Sequence, residues 1–170
     1  MQALCAYLRQ QGIDPGSLMP KGLQETAAHA LERVPAEAYC LFQIRAAEVL
    51  RDPLLGLHLG QTIKPLHLGA LGYALLACDN LGAALMRIQR YHRLMHDINP
   101  ISYHHTDTHL ELRWGVSMGR PGALFDETGV TAIVQFARDL CGRKLPIDAL
   151  DFVNPAPSDT SPYDRFFGCQ

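Results

Sequence analysis

Basic charge is not in excess in this sequence. Lysine and arginine total 15 against 17 aspartates and glutamates, a formal net charge of -2. A domain that grips nucleic acid through its phosphates needs a basic excess or a concentrated basic face, and no global excess exists here. Cysteine pairing is missing too. Cys5, Cys40, Cys78, Cys141 and Cys169 are odd in number, scattered, and form no CxxC pair, which argues against a disulfide framework and a zinc knuckle. No apolar run approaches the roughly 18 residues that a bilayer span needs. The opening MQALCAYLRQQGID lacks the basic stretch and apolar run of a secretion signal. A cytoplasmic location without membrane attachment is therefore expected. Catalytic signatures are equally scarce: there is no P-loop, no GxGxxG, and no serine in GALGY or HLGAL to make a nucleophile elbow. No catalytic residue and no cofactor are expected.

What is present is apolar material. Hydrophobic residues make up 48% and charged residues 19% of 170 residues, enough for one domain with a sizeable core and too apolar for a disordered chain. The first third reads as helical. Ala3 to Gln11 is amphipathic through Leu4, Tyr7 and Leu8 and stops at Gly12. A second helix is expected over Leu23 to Glu32. A third runs from about Pro35 to Arg51, with Tyr39, Phe42, Ala46 and Val49/Leu50 inward, and Pro53 ends it. LLGLHLGQ gives a short turn of helix before Pro65. Leu66 to Cys78 is apolar or small on nearly every side, which predicts an interior helix. Its Gly69 and Gly72 suggest a neighbouring backbone in close approach.

Asp79 or Asn80 caps the next helix, Leu81 to Met95, which puts Leu81, Ala84, Leu85, Ile88, His92 and Met95 on one face and Arg87, Arg90 and Arg93 on the other. The two helices resemble a helix-turn-helix in outline. A DNA-reading helix touches base edges through its N-terminal residues, and here those residues are LGAAL, which offer bases no hydrogen-bonding side chain. The pair is scaffold, with the arginines on a solvated face. Beyond Asp97 the period changes to two. ISYHHTDTHLELRWGV forms a hairpin around TDTH, with Leu110, Leu112, Trp114 and Val116 on the buried face of its second strand. A long helix follows with Phe125, Val130, Ile133, Phe136 and Leu140 at helical spacing, ending near Gly142. Asp126 and Glu127 open it, where negative charge suits the helix dipole. LDFVNP, Leu150 to Pro155, is expected as a final strand. This order predicts an α+β fold: a helical layer on a small, mainly antiparallel sheet, with a long helix between strands.

Histidines invite a metal reading. His92 and His96 are four apart on one helix, and His104, His105 and His109 lie in the hairpin. No HExxH and no cysteine partner joins them, so the expectation is a hydrogen-bonded core His92, exposed hairpin histidines and no metal. A pocket where the helical hairpin meets the sheet suits a small ligand. Tyr73, Tyr91 and His92 offer polar tips there, Trp114 an apolar wall, and Arg113 a counter-charge for a carboxylate or phosphate.

The segment from Asp52 to Asp97 carries a resemblance. Asp52-Pro53, Gly56-Leu57-His58-Leu59-Gly60, Leu68-Gly69-Ala70-Leu71-Gly72-Tyr73-Ala74-Leu75, Leu81, Ala84-Leu85, Arg90-Tyr91 and Leu94 resemble the N-terminal effector domain of AraC-type transcriptional regulators, in its arabinose-binding-like subgroup. Pro155, Tyr163 and Phe166 to Cys169 look like that family's later segment. The resemblance implies a single regulatory domain over residues 1–170 that binds an unidentified small effector and forms a homodimer. It also implies that DNA is bound only by a C-terminal pair of helix-turn-helix units, to which nothing in this sequence corresponds. The alternatives are a stand-alone enzyme with an unrecognised site and a dimerisation module without a ligand.

Overall fold

A computed structural model describes residues 1–21, 23, 34–94 and 98–169. Helix α1 (Gln2–Gln10) buries Leu4 and Leu8 completely, one above the other at the i, i+4 spacing of a single face. A short α2 (Pro15–Leu18) begins at Asp14, whose carboxylate accepts the Gly16 amide at 3.2 Å. Helix α3 (Ala36–Leu50) closes on Arg51 in the left-handed conformation, φ 52°. Asp52 then organises the start of α4 (Leu55–Thr62): one carboxylate oxygen accepts the Leu54 amide at 3.0 Å and the other holds His58 Nδ1 at 2.7 Å. The helix expected over Leu23 to Glu32 lies, Leu23 apart, outside the described residues, as do Met95 and His96.

The apolar stretch expected as one interior helix is broken. A 3-10 turn (Pro65–Leu68) and α5 (Ala70–Leu76) meet at Gly69, which adopts φ 57°, ψ -136°. Gly69 has open space around it, so it serves the bend. Gly72 provides the close approach, its Cα lying against the Pro65 carbonyl where no side chain fits. Nor is α5 interior on all sides. Leu71, Gly72 and Leu75 are buried, while Leu66, Tyr73 and Leu76 are 66%, 64% and 54% exposed. Asn80 caps α6 (Leu81–Tyr91) by accepting the Ala83 amide at 2.9 Å, a satisfied N-cap that fixes the turn between the two helices. Arg87 leaves the solvated stripe expected for it and donates to the Ala74 carbonyl at 2.6 Å, tying α6 to the end of α5.

A second 3-10 turn (His92–Leu94) precedes β1 (Ile101–His105) and β2 (Leu110–Trp114), an antiparallel pair in which Ile101 faces Trp114 and His105 faces Leu110. The hairpin turns at residues 106–109, as the sequence indicates. Helix α7 (Ala123–Cys141) ends at Gly142 with φ 63°, and α8 (Ser161–Phe167) follows a long connection. Leu150 to Pro155, expected as a strand, forms no ladder. Side chains fix it instead: Phe152 packs edge-on against Tyr163 and Phe167, and Asn154 donates to Asp126 at 2.6 Å. The fold class is α+β, with α7 following the sheet.

Two hydrophobic cores form. The first gathers α1, α3 and α4 around Leu4, Leu8, Phe42, Ala46, Leu55 and Leu59, with Leu124 of α7 packed on it. The second gathers α5, α6 and the hairpin around Leu71, Leu75, Leu85, Ile88, Ile101 and Phe136, with Leu112, Trp114 and Ile133 against it. Helix α7 runs from one to the other. Its contact with α4 is close. A Cβ built on Gly56 would lie 2.7 Å from Glu127 Cβ, and one on Gly60 would lie 2.5 Å from Thr131 Cβ. Glycines four apart on α4 thus meet residues four apart on α7, and the α4 backbone comes directly onto Glu127 and Thr131 with no α4 side chain between.

Candidate effector cleft

Between the two cores lies a cleft of about 1300 Å³. Tyr39, Phe125 and the 34–36 segment line it from the first core; Leu75, Ile88, Ile133 and Phe136 line it from the second. The hairpin contributes Glu111 to Trp114 and the 3-10 turn contributes Arg93 and Leu94. Residues 149–153 cross it as a strap. A mostly apolar cleft with a few charged groups on its walls is the usual form of a small-molecule site.

Helix α7 shows the cleft and the glycine contact two different faces. Phe125, Gly129, Ile133 and Phe136 look into the cleft, whereas Glu127 and Thr131 press on α4. The second face is polar yet the most deeply buried part of the helix. Gln43 of α3, fully buried, donates to Thr128 Oγ1 at 3.0 Å, and Thr128 donates in turn to the Leu124 carbonyl at 2.6 Å. Glu127 is buried, and Tyr163 of α8 lies beside its carboxylate. Its Oε2 has no hydrogen-bond partner among the described residues. Burial pushes the Glu127 carboxyl above its ordinary range, and burial does the same to Asp126 beside it, because a charge removed from water is disfavoured. A second hollow of about 470 Å³ shares Leu150, Asp151 and Phe152 with the cleft and reaches Glu127, Tyr163 and Phe167. The strap therefore forms a wall of the cleft on one hand and the seat of α8 on the other.

The residues expected to grip a ligand separate in space. Arg113 and Trp114 line the cleft. Tyr73 turns to solvent. Tyr91 is 40% exposed, with the Arg90 guanidinium 5.5 Å from its ring centre. His92 is buried as expected, its Nδ1 donating to the Gln89 carbonyl at 2.7 Å. Tyr73, Tyr91 and His92 do not line the cleft. Conversely, Arg93, Arg120, Tyr39 and Phe152 line it without having been singled out. Arg93 had been placed in a solvated stripe and Phe152 in a strand, so only their spatial neighbours reveal them. His104, His105 and His109 are exposed at the hairpin turn, and among the described residues no three His, Cys, Asp or Glu side chains are placed to hold a metal ion. No helix among them is long and apolar enough to cross a membrane.

Comparison with known proteins adds to this geometry. A family model described as the N-terminal arabinose-binding domain of AraC transcription regulators matches residues 8–170. Among curated proteins, the ornithine utilization regulator of Pseudomonas aeruginosa is 33% identical over 119 residues, which are 69% of this chain and 35% of the relative. The aligned part thus spans about a third of that protein's length.

Proposed function

The chain belongs to the family of N-terminal arabinose-binding domains of AraC-type transcription regulators, and on that premise we propose that it is the ligand-sensing module of a longer regulator, with the cleft between its two cores as the effector site. One observation carries this reading: the strap at residues 149–153 is at once a wall of the cleft and, through Phe152, the seat of Tyr163 and Phe167 on α8. A ligand shifts a conformational balance only by binding its two states unequally. Here an occupant touches the segment that holds the C-terminal helix, so occupancy and the position of α8 share a free energy. In the same reading a C-terminal helix-turn-helix part of the full regulator contacts DNA, and this module makes no base contacts. The family is one of regulators, and its name does not make arabinose the effector. Self-association as a homodimer belongs to the proposal. Its support is the exposed apolar row of Leu66, Tyr73 and Leu76, with Met86 and Leu94 also open to solvent.

Trp114 is the only tryptophan and it lines the cleft, so its emission reports on the site. A Cβ at Gly129 meets nothing within 4 Å, and Gly129 lines the cleft, so Gly129→Phe sets its side chain out from open space on the cleft wall. A metabolite screen by thermal shift should yield a compound that alters Trp114 emission and adds about 2.7 kcal/mol to folded-state stability at 100 times its dissociation constant. Gly129→Phe should weaken both effects. A stabilising compound that binds this variant as well as the parent, with Trp114 emission unmoved, would place the site elsewhere.

A further inference from the structure

We infer that the cleft takes an organic anion, a carboxylate or comparable oxyanion on an apolar body, whose charge is received by Arg93, Arg113 and Arg120. The inference rests on the reading of the cleft as the effector site and specifies its ligand class. Three separate chain segments supply these arginines, and local contacts bring the segments of Arg113 and Arg120 to the same end of the hairpin. Arg113 faces Ser102 in the register, next to the Ile101–Trp114 pair and away from the 106–109 turn. At that end the Gly115 amide donates to the Pro100 carbonyl at 3.1 Å.

Asn99 then fixes the loop that follows. It is buried, donates through Nδ2 to the Gly119 carbonyl at 2.8 Å, and accepts the Met118 amide through Oδ1 at 3.0 Å. A buried amide satisfied at both ends holds its partners firmly. Arg120 is the next residue after Gly119, and Arg93 lies in the 3-10 turn that follows α6. All three arginines line the cleft.

Their charges are only partly answered. Arg113 spends Nε on Glu111 Oε1 at 2.7 Å, which leaves the outer edge of its guanidinium, the two Nη groups that engage a carboxylate end-on. Neither Arg93 nor Arg120 has an ion pair among the described residues, whereas Lys64, also on the lining, is neutralised by Asp139 at 2.7 Å. The lining acids other than Glu111 are Asp126 and Asp151, on the helix α7 start and the strap. The cleft therefore carries Arg93 and Arg120 without an ion pair beside an apolar wall of Leu112, Trp114 and Ile133, with Arg113 on the other face of the same strand. Cations without a counter-charge on low-dielectric walls favour an anion beside them.

The test uses two fluorescent probes of similar shape, the anion 8-anilinonaphthalene-1-sulfonate and its uncharged counterpart N-phenyl-1-naphthylamine. Both are titrated into the 170-residue chain, into an Arg93→Gln/Arg120→Gln variant and into Gly129→Phe. The arginine substitutions should weaken the anion about tenfold, the loss expected for one charge-assisted contact, and leave the neutral probe unchanged. Added salt should weaken the anion alone. Equal affinity of the anion for parent and arginine variant, with both probes weakened in Gly129→Phe, would overturn the ligand class and leave the cleft standing. Binding of both probes by Gly129→Phe as tightly as by the parent would overturn the cleft and the inference with it.

Discussion

One methyl group added at residue 60 should unmake part of this fold, and the same methyl group at residue 129 should strengthen it. Gly60 lies in α4, and a Cβ there would stand 2.5 Å from Thr131 Cβ, 2.8 Å from its Cγ2 and 2.9 Å from the Thr128 carbonyl oxygen. Carbon atoms settle about 3.5–4.0 Å apart, so the two helices must separate by about 1 Å. A β-carbon and a backbone carbonyl cannot rotate aside, which places the cost at the upper end of the usual 1–3 kcal/mol for overpacking. Alanine recovers about 1 kcal/mol of helix propensity. The expected net loss for Gly60→Ala is about 2 kcal/mol. Gly129 is in the interior of α7 with nothing within 4 Å of its Cβ position, so Gly129→Ala keeps only the propensity term, a gain of about 0.5–1 kcal/mol. At this chain length 1 kcal/mol moves Tm by about 2–4 °C. Urea unfolding followed by far-ultraviolet circular dichroism separates the two variants. A Gly60→Ala protein as stable as the parent, or two variants shifting in the same direction, would refute the account of the α4–α7 contact.

Two further outcomes are expected. Because burial raises the folded-state pKa of Glu127 and of Asp126, the native state holds their protons more tightly than the unfolded chain does. Their contribution to stability is full below the ordinary carboxyl range and falls as pH rises through it toward the raised values. Glu127→Gln keeps an acceptor beside Tyr163 and removes the buried charge. It should add on the order of 1 kcal/mol at neutral pH and flatten that slope, and an unchanged pH profile in urea titrations would contradict the assignment. The exposed Leu66, Tyr73 and Leu76 should hold a dimer together, so Leu76→Glu should shift the sedimentation coefficient to that of a monomer; a parent that sediments as a monomer at high concentration removes the basis for the dimer.

Helix positions were legible in the sequence wherever a hydrophobic period and a cap coincided. Leu4 and Leu8 in α1, Asn80 before α6, Gly142 after α7 and the TDTH turn all stand where the pattern puts them. Burial set by backbone proximity was not legible. Glu127, Thr128 and Thr131 look like a polar flank of α7, yet all three are buried, because α4 presents Gly56 and Gly60 to this side of the helix. The same applies in reverse to Tyr73 and Leu76, apolar residues left outside because Gly72 seats α5 directly on Pro65. Of the candidate site, Trp114 was accessible through strand alternation, which puts it on the inward face; Arg113 belongs to the opposite face, and it is the extent of the cleft that reaches both. Arg120 and the strap were not, because Asn99 holds the loop before Arg120 and Phe152 holds the strap through contacts distant in sequence, and no local pattern marks Arg93 as part of the lining.

The glycine seam between α4 and α7 also governs how the molecule can move. In most helix pairs, interlocking side chains hop between rotamers and absorb a small displacement at the surface where it occurs. At Gly56 and Gly60 α4 has no side chain to yield, and Glu127 and Thr131 meet its backbone through β-carbons that cannot rotate aside. A displacement of α7 at Ile133 or Phe136 is therefore passed to α4 with little local give. In the proposed reading of the cleft, an occupant would move α4 and α7 together, and the adjustment would fall on the bend at Gly69 and on the strap.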